Sequence, residues 1–266
     1  MKHIKTTPRH VLILTLCAVM ILFELVPILK EIPFTNDKAY NRLISLSIPL
    51  IMGVIAVILI AGECGVRLFG RPEWLWVLIP ALIIAIDNFP WLAYAAGKME
   101  LIYTQPLHFV VFGAYCLLVG FFEEILFRGI FFSVLASVFE HTKKGLIWTY
   151  LLSSVAFGAI HILNVFQSGG AAVLQAGYSI LTGGLFGFVL MKTKNVVFPA
   201  IIHAVYNFCG LLFTSHIGLG TGSIIDLPTG IMMALISVCI GVFVLYSVWK
   251  YPESEREELY KRLGVN

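Results

Sequence analysis

The chain has 266 residues, of which 59% are hydrophobic and only 12% charged, with a mean hydropathy of +0.92, and these values exclude a soluble globular domain. The formal net charge of +3 gives no reason to expect nucleic acid as a partner. Five cysteines, Cys17, Cys64, Cys116, Cys209 and Cys239, stand singly without a CxxC pair, which excludes a disulfide framework and a cysteine-built zinc site and reads them as small apolar packing residues.

In chain order, apolar stretches long enough to cross a hydrocarbon core of about 30 Å fall near Val11–Leu29, Leu43–Gly62, Trp74–Ala96, Leu107–Phe139, Leu146–Leu163, Val173–Met191, Val196–Phe213 and Thr229–Trp249. The expected fold is all-α, a polytopic bundle of eight transmembrane helices forming one domain over residues 1–266. The first stretch follows a basic N-terminus but contains Glu24 and no small-x-small cleavage pattern, so it reads as a retained helix rather than a signal peptide. The fourth is too long for one upright span and must tilt, break or project from the membrane. Residues 164–172 (NVFQSGGAA) and 215–228 (SHIGLGTGSIIDLP) are Gly-rich and read as tight connections. Gly183 and Gly187 form a GxxxG that admits a closely packed neighbour. After Trp249, residues 250–266 alternate Glu with Lys and Arg at helical spacing, as a solvated cytoplasmic tail would.

Sidedness follows from the basic residues. With the N-terminus inside, thirteen of the eighteen Lys and Arg fall in inner segments, four in outer segments, and Arg128 lies within a span. Positive residues collect on the cytoplasmic side, so both termini are expected there, in a multipass protein whose constant partners are membrane lipids.

An ionised side chain at the bilayer centre costs at least about 2.5–3.5 kcal/mol, so each one calls for a reason. Glu24 and Asp87 stand alone and read as interhelical hydrogen bonders or as residues near an interface; His108 and His216 read as interfacial. Three other segments carry compact polar patterns: Glu123-Glu124-x-x-x-Arg128, Phe157-x-x-x-His161 and His203-x-x-x-Asn207. Glu124 and Arg128 are four apart, which suits an intrahelical ion pair fixing the helix. Glu123 points about 100° away and is available to a polar cavity. A carboxylate, two imidazoles and a carboxamide form an acid–base hydrolytic set. Glu123 takes a proton from water, His161 holds that water or returns the proton, and His203 with Asn207 donates to an oxyanion. That mechanism requires no cofactor. The same Glu123, His161 and His203 could instead ligate a divalent metal such as zinc, although HExxH is absent and Asn207 is a poor zinc ligand.

The three patterns, in this order on successive membrane helices, resemble the CAAX prenyl protease and bacteriocin-processing (Abi) family of intramembrane proteases, over roughly Leu107–Phe213. The resemblance implies an eight-helix fold with a membrane-embedded catalytic chamber and residues 107–213 as its core. It also implies that Glu123 and His161 activate water while His203 and Asn207 bind the oxyanion. The expected activity is that of an intramembrane endopeptidase acting on a hydrophobic or lipidated peptide or a membrane protein. The alternatives are a non-catalytic membrane scaffold or regulator retaining the protease fold, or a small proton-coupled transporter.

Overall fold

The computed structural model describes residues 32–139, 141–164, 171–222 and 227–265, together with Thr15. Apart from Thr15, the first expected span, with Glu24, lies outside the described residues, as does most of the first Gly-rich connection. Among the described residues the structure is built of helices: α1 Lys38–Glu63, α2 Leu78–Asp87, α3 Trp91–Ala95, α4 Pro106–Glu124, α5 Phe132–Val138, α6 Lys143–Ile160, α7 Ala171–Thr193, α8 Val197–Leu211, α9 Leu227–Trp249 and α10 Glu253–Arg262. The chain is an all-α integral membrane protein.

The count of eight spans is not reproduced. Three helical stretches among the described residues are long and apolar enough to cross a membrane, Lys38–Glu63, Pro106–Val138 and Lys143–Asn164, and a fourth if the bent pair ending the chain is one span. The expected third span is broken: α2 ends at Asp87, and Pro90, which has no N–H to continue a helix, separates it from the short α3. α8 has only 15 residues.

The long fourth segment stays one helical stretch and changes its winding midway. Between α4 and α5, residues Ile125–Phe131 are π-helical, so Pro106–Val138 runs on as one helical stretch of 33 residues. Such wide turns are rare and concentrate at functional sites. Pro106 occupies the first turn of α4, where its missing N–H costs nothing.

The loops sort to two ends of the bundle. At one end, Asp37 caps α1 by accepting from Ala39 and Tyr40 N–H groups and also meets His108 Nε2 at 2.8 Å. Although burial of Asp37 pushes its carboxyl up, the bond to His108 and those to the two amides outweigh it and hold the group below the usual aspartate value. Arg42 donates to the carbonyls of Ser215 and Gly218, and Leu101 bridges to Gly220. Residues 218–220 are buried, so this part of the second Gly-rich connection is tight packing.

At the other end lies the clearest departure from expectation. Residues 250–265 are not a solvated continuation of α9: the chain turns by 93° after Trp249, and α10 lies back against the bundle. Leu259, Tyr260 and Leu263 are buried, each side chain contributing about 1.5–3 kcal/mol on burial. Arg67 N–H donates to Arg262 carbonyl, Lys192 Nζ meets Glu255 at 2.8 Å, and Lys194 Nζ bridges Glu73 at 2.7 Å and Glu258 at 2.6 Å. Charge alternation in the sequence identified a helix, but its Leu and Tyr stripe is what meets the protein. Burial alone would push the Lys194 ammonium down; the two carboxylates overcome this and hold it above the usual lysine value. The hydrogen bond from Lys194 likewise holds Glu258 below the usual glutamate value.

Candidate functional site

Close backbone approaches bring the three polar patterns together. A Cβ at Gly120 would lie 2.4 Å from the Ala200 carbonyl oxygen, so only glycine lets α4 approach α8 this closely. A Cβ at Gly158 would lie 2.3 Å from Ile180 and 2.6 Å from the Ala176 carbonyl oxygen, which sets α6 against α7 in the same way.

Glu124 and Arg128 are both fully buried and pair at 3.1 Å. The guanidinium also donates from Nη2 to the Gly183 carbonyl at 2.9 Å, and its Cζ sits 4.1 Å from the Phe157 ring centroid. A carboxylate, a carbonyl and an aromatic face thus compensate one buried cation. At Gly183, the first glycine of the GxxxG, a Cβ would lie 3.1 Å from Arg128 Nη2 and 2.9 Å from Phe157, so that glycine leaves room for the guanidinium itself.

Glu124 has a second partner that sequence spacing did not suggest. His203 Nδ1 lies 2.9 Å from Glu124 Oε1, which is acceptor-only as a carboxylate, so Nδ1 carries a proton and donates. His203 Nε2 is thereby turned toward Glu123, whose Oε2 lies 3.8 Å away. The two adjacent carboxylates address the two nitrogens of one imidazole. His161 is fixed by the same logic: its Nδ1 is 2.8 Å from the Phe157 carbonyl, which can only accept, so its Nε2 remains for other chemistry.

Phe157 lies at the centre of the cluster. Its ring meets Arg128, stands edge-on to His161 with centroids 5.1 Å apart, and meets His203 at 5.7 Å. It packs beside the site and also carries the cation. Phe186, which the sequence analysis missed, stacks on His203 with centroids 4.9 Å apart at 24°. The only sequence signal was its place among Gly183, Gly184 and Gly187, small residues that let a helix come close while one ring reaches across.

Asn207 lies one turn beyond His203 on α8 and is half-buried. Among the described residues Asp87, at the end of α2, makes no hydrogen bond to another helix. Its neighbour Asn88 does, donating from Nδ2 to the Tyr206 carbonyl at 2.8 Å. His108 is buried, stacked on Tyr40 with centroids 4.3 Å apart, and belongs to the far end of α4. Among the described residues Cys116, Cys209 and Cys239 are free thiols. Among the described residues no three His, Cys, Asp or Glu side chains are placed to hold a metal ion. Glu123, His161 and His203 are not drawn together into such a group.

Residues 104–209 match the family model of the Rce1-like type II CAAX prenyl endopeptidases. No curated protein and no solved structure gives a significant match to the chain.

Proposed function

We propose that this chain, whose residues 104–209 match the model of the Rce1-like type II CAAX prenyl endopeptidases, is an intramembrane endopeptidase using Glu123 as its general base. The observation that carries the reading is the placement of Glu124 and Glu123 on opposite nitrogens of His203, at 2.9 and 3.8 Å.

Charge balance gives this placement its chemistry. Two carboxylates and one guanidinium leave the buried cluster one negative charge in excess, and a single additional proton neutralises it. Placed on His203 Nε2, that proton leaves Glu123 ionised, able to take a proton from water. Glu124 at Nδ1 steadies the imidazolium, as a carboxylate does behind a catalytic histidine. The water oxygen bonds to the scissile carbonyl carbon, and the C=O electron pair moves onto oxygen. His203 Nε2–H and the Asn207 amide donate to that oxyanion. Collapse breaks the C–N bond, and the leaving amine takes the proton held by Glu123, with His161 Nε2 positioning the water or relaying the proton. A neutral His203 with its proton on Nδ1 would have no Nε2–H to offer, so the role of Glu124 extends beyond bracing Arg128.

The substrate class is a hydrophobic or lipidated peptide or a membrane protein, with the tail after Trp249 and the loops bearing Arg67, Lys143 and Lys192 on the cytoplasmic side of a prokaryotic cell membrane. The concentration of these basic residues at one end of the bundle supports that orientation. The test is a comparison of new peptide termini in membranes carrying the wild-type protein or Glu123→Gln. Termini present only with wild type are expected, in a variant of unchanged helicity. Equal termini in both would overturn the assignment and leave a scaffold retaining the fold. Chelation is expected to leave cleavage intact, and metal-restorable loss would replace the mechanism with a metal-assisted one.

A further inference from the structure

A second feature lies apart from this cluster. Helices α2, α6, α7 and α9 enclose a groove of about 220 Å³, lined by Ile84, Tyr150, Leu151, Leu185, Gly241 and Val244 among others. It exceeds the roughly 150 Å³ that accommodates a benzene molecule in a dry apolar cavity. Two hydroxyls in its wall are already satisfied by their own helices: Ser154 donates to the Tyr150 carbonyl and Thr182 to the Ser179 carbonyl. Apart from the Tyr150 and Ser237 hydroxyls, what the groove presents is hydrocarbon, suited to an acyl chain. An extended peptide would bring backbone donors and acceptors that find no partner there.

The groove leads to a cationic end. On α9 the lining residues Ser237, Gly241 and Leu245 are four apart and continue in register to Trp249. On α6 the lining residues Leu151 and Val155 continue the stripe that begins at Lys144 and Trp148. The two stripes meet where Lys143 Nζ sits 4.3 Å from the Trp249 ring centroid, with Lys144 and Lys250 exposed beside them. From Ser237 to Leu245 the groove spans about 12 Å of helix, and Trp249 lies about 6 Å farther on. An apolar channel ending at lysines and an exposed tryptophan matches a lipid crossing from acyl region to headgroup.

We infer that this groove is a binding site for an anionic phospholipid of the surrounding bilayer, with one acyl chain between α6 and α9 and the phosphate on Lys143, Lys144 and Lys250. The site is independent of the proteolytic reading and involves none of its residues.

The full-length protein, stripped of lipid in detergent, is titrated with dioleoyl phosphatidylglycerol or dioleoyl phosphatidylcholine, and bound lipid is counted by native mass spectrometry. The wild type is expected to retain one phosphatidylglycerol and prefer it by about tenfold, since three lysines near a phosphate each contribute about fivefold at most. The triple variant Lys143→Gln, Lys144→Gln, Lys250→Gln is expected to keep binding both lipids while losing the preference. Gly241→Phe, at a position where a Cβ meets nothing within 4 Å, is expected to fill the groove and lose both lipids without loss of helicity. Equal affinity of the wild type for the two lipids, or undiminished phosphatidylglycerol binding by Gly241→Phe, would overturn the site. So would a change in oligomeric state in Gly241→Phe with lipid binding intact, which would make a second copy of the chain the occupant.

Discussion

Replacing Glu124 with Leu separates the structural from the chemical role of the buried cluster. In the variant, the Arg128 guanidinium stays fully buried, with the Gly183 carbonyl and the Phe157 ring still against it but its carboxylate gone. At 3.1 Å and an effective dielectric constant near 20, the lost attraction is about 5 kcal/mol. Breaking one side of a buried pair costs about 3–5 kcal/mol, so the two estimates agree. Replacing both partners, Glu124→Leu with Arg128→Met, removes the stranded charge and leaves only the His203 N–H without its acceptor, at about 1–3 kcal/mol, so the double variant should be clearly more stable than the single one. Neither variant gives His203 Nδ1 an acceptor, so cleavage should stay abolished in both. Stability is read from helicity during denaturation in mixed micelles, and activity from the termini that depend on Glu123. A double variant as unstable as the single one would refute the account of Arg128. Restored cleavage in the double variant would refute the role of Glu124 behind His203.

Gly120→Val should separate α4 from α8, because its Cβ would lie 2.4 Å from a backbone oxygen that cannot yield; a well-folded, fully active variant in a helicity and cleavage assay would contradict the packing. Phe186→Leu should lower cleavage several-fold by loosening the stacked His203, with a stability loss of only about 1–2 kcal/mol, checked by measuring both in one preparation. Docking of α10 should depend on pH with a definite sign. The depressed Glu258 contributes stability above its unfolded value, lost as pH falls through the lower folded value. The raised Lys194 contributes stability below its unfolded value, lost as pH rises through the higher folded value. Protease resistance of residues 250–265 should therefore persist across neutral pH and fail only below the ordinary glutamate range or above the ordinary lysine range. Lys194→Ala should expose the same segment at neutral pH.

The amino-acid sequence determined the helical class, the approximate place of each described helix and the identity of the polar residues near the centre, because apolar runs and intramembrane charges report on the solvent around each residue. It also determined the Glu124–Arg128 pair, an interaction four residues apart on one helix. It could not determine what crosses between helices. That Glu124 also holds His203, that Phe157 and Phe186 cage the cation and the imidazole, and that Asn88 rather than Asp87 ties α2 to α8 all depend on how closely backbones approach at Gly120, Gly158 and Gly183. The π-helical winding after Glu124 and the return of α10 onto the bundle were equally illegible. The return of α10 rests on buried Leu259, Tyr260 and Leu263 and on ion pairs with Lys192 and Lys194, contacts distant in sequence that no local periodicity encodes.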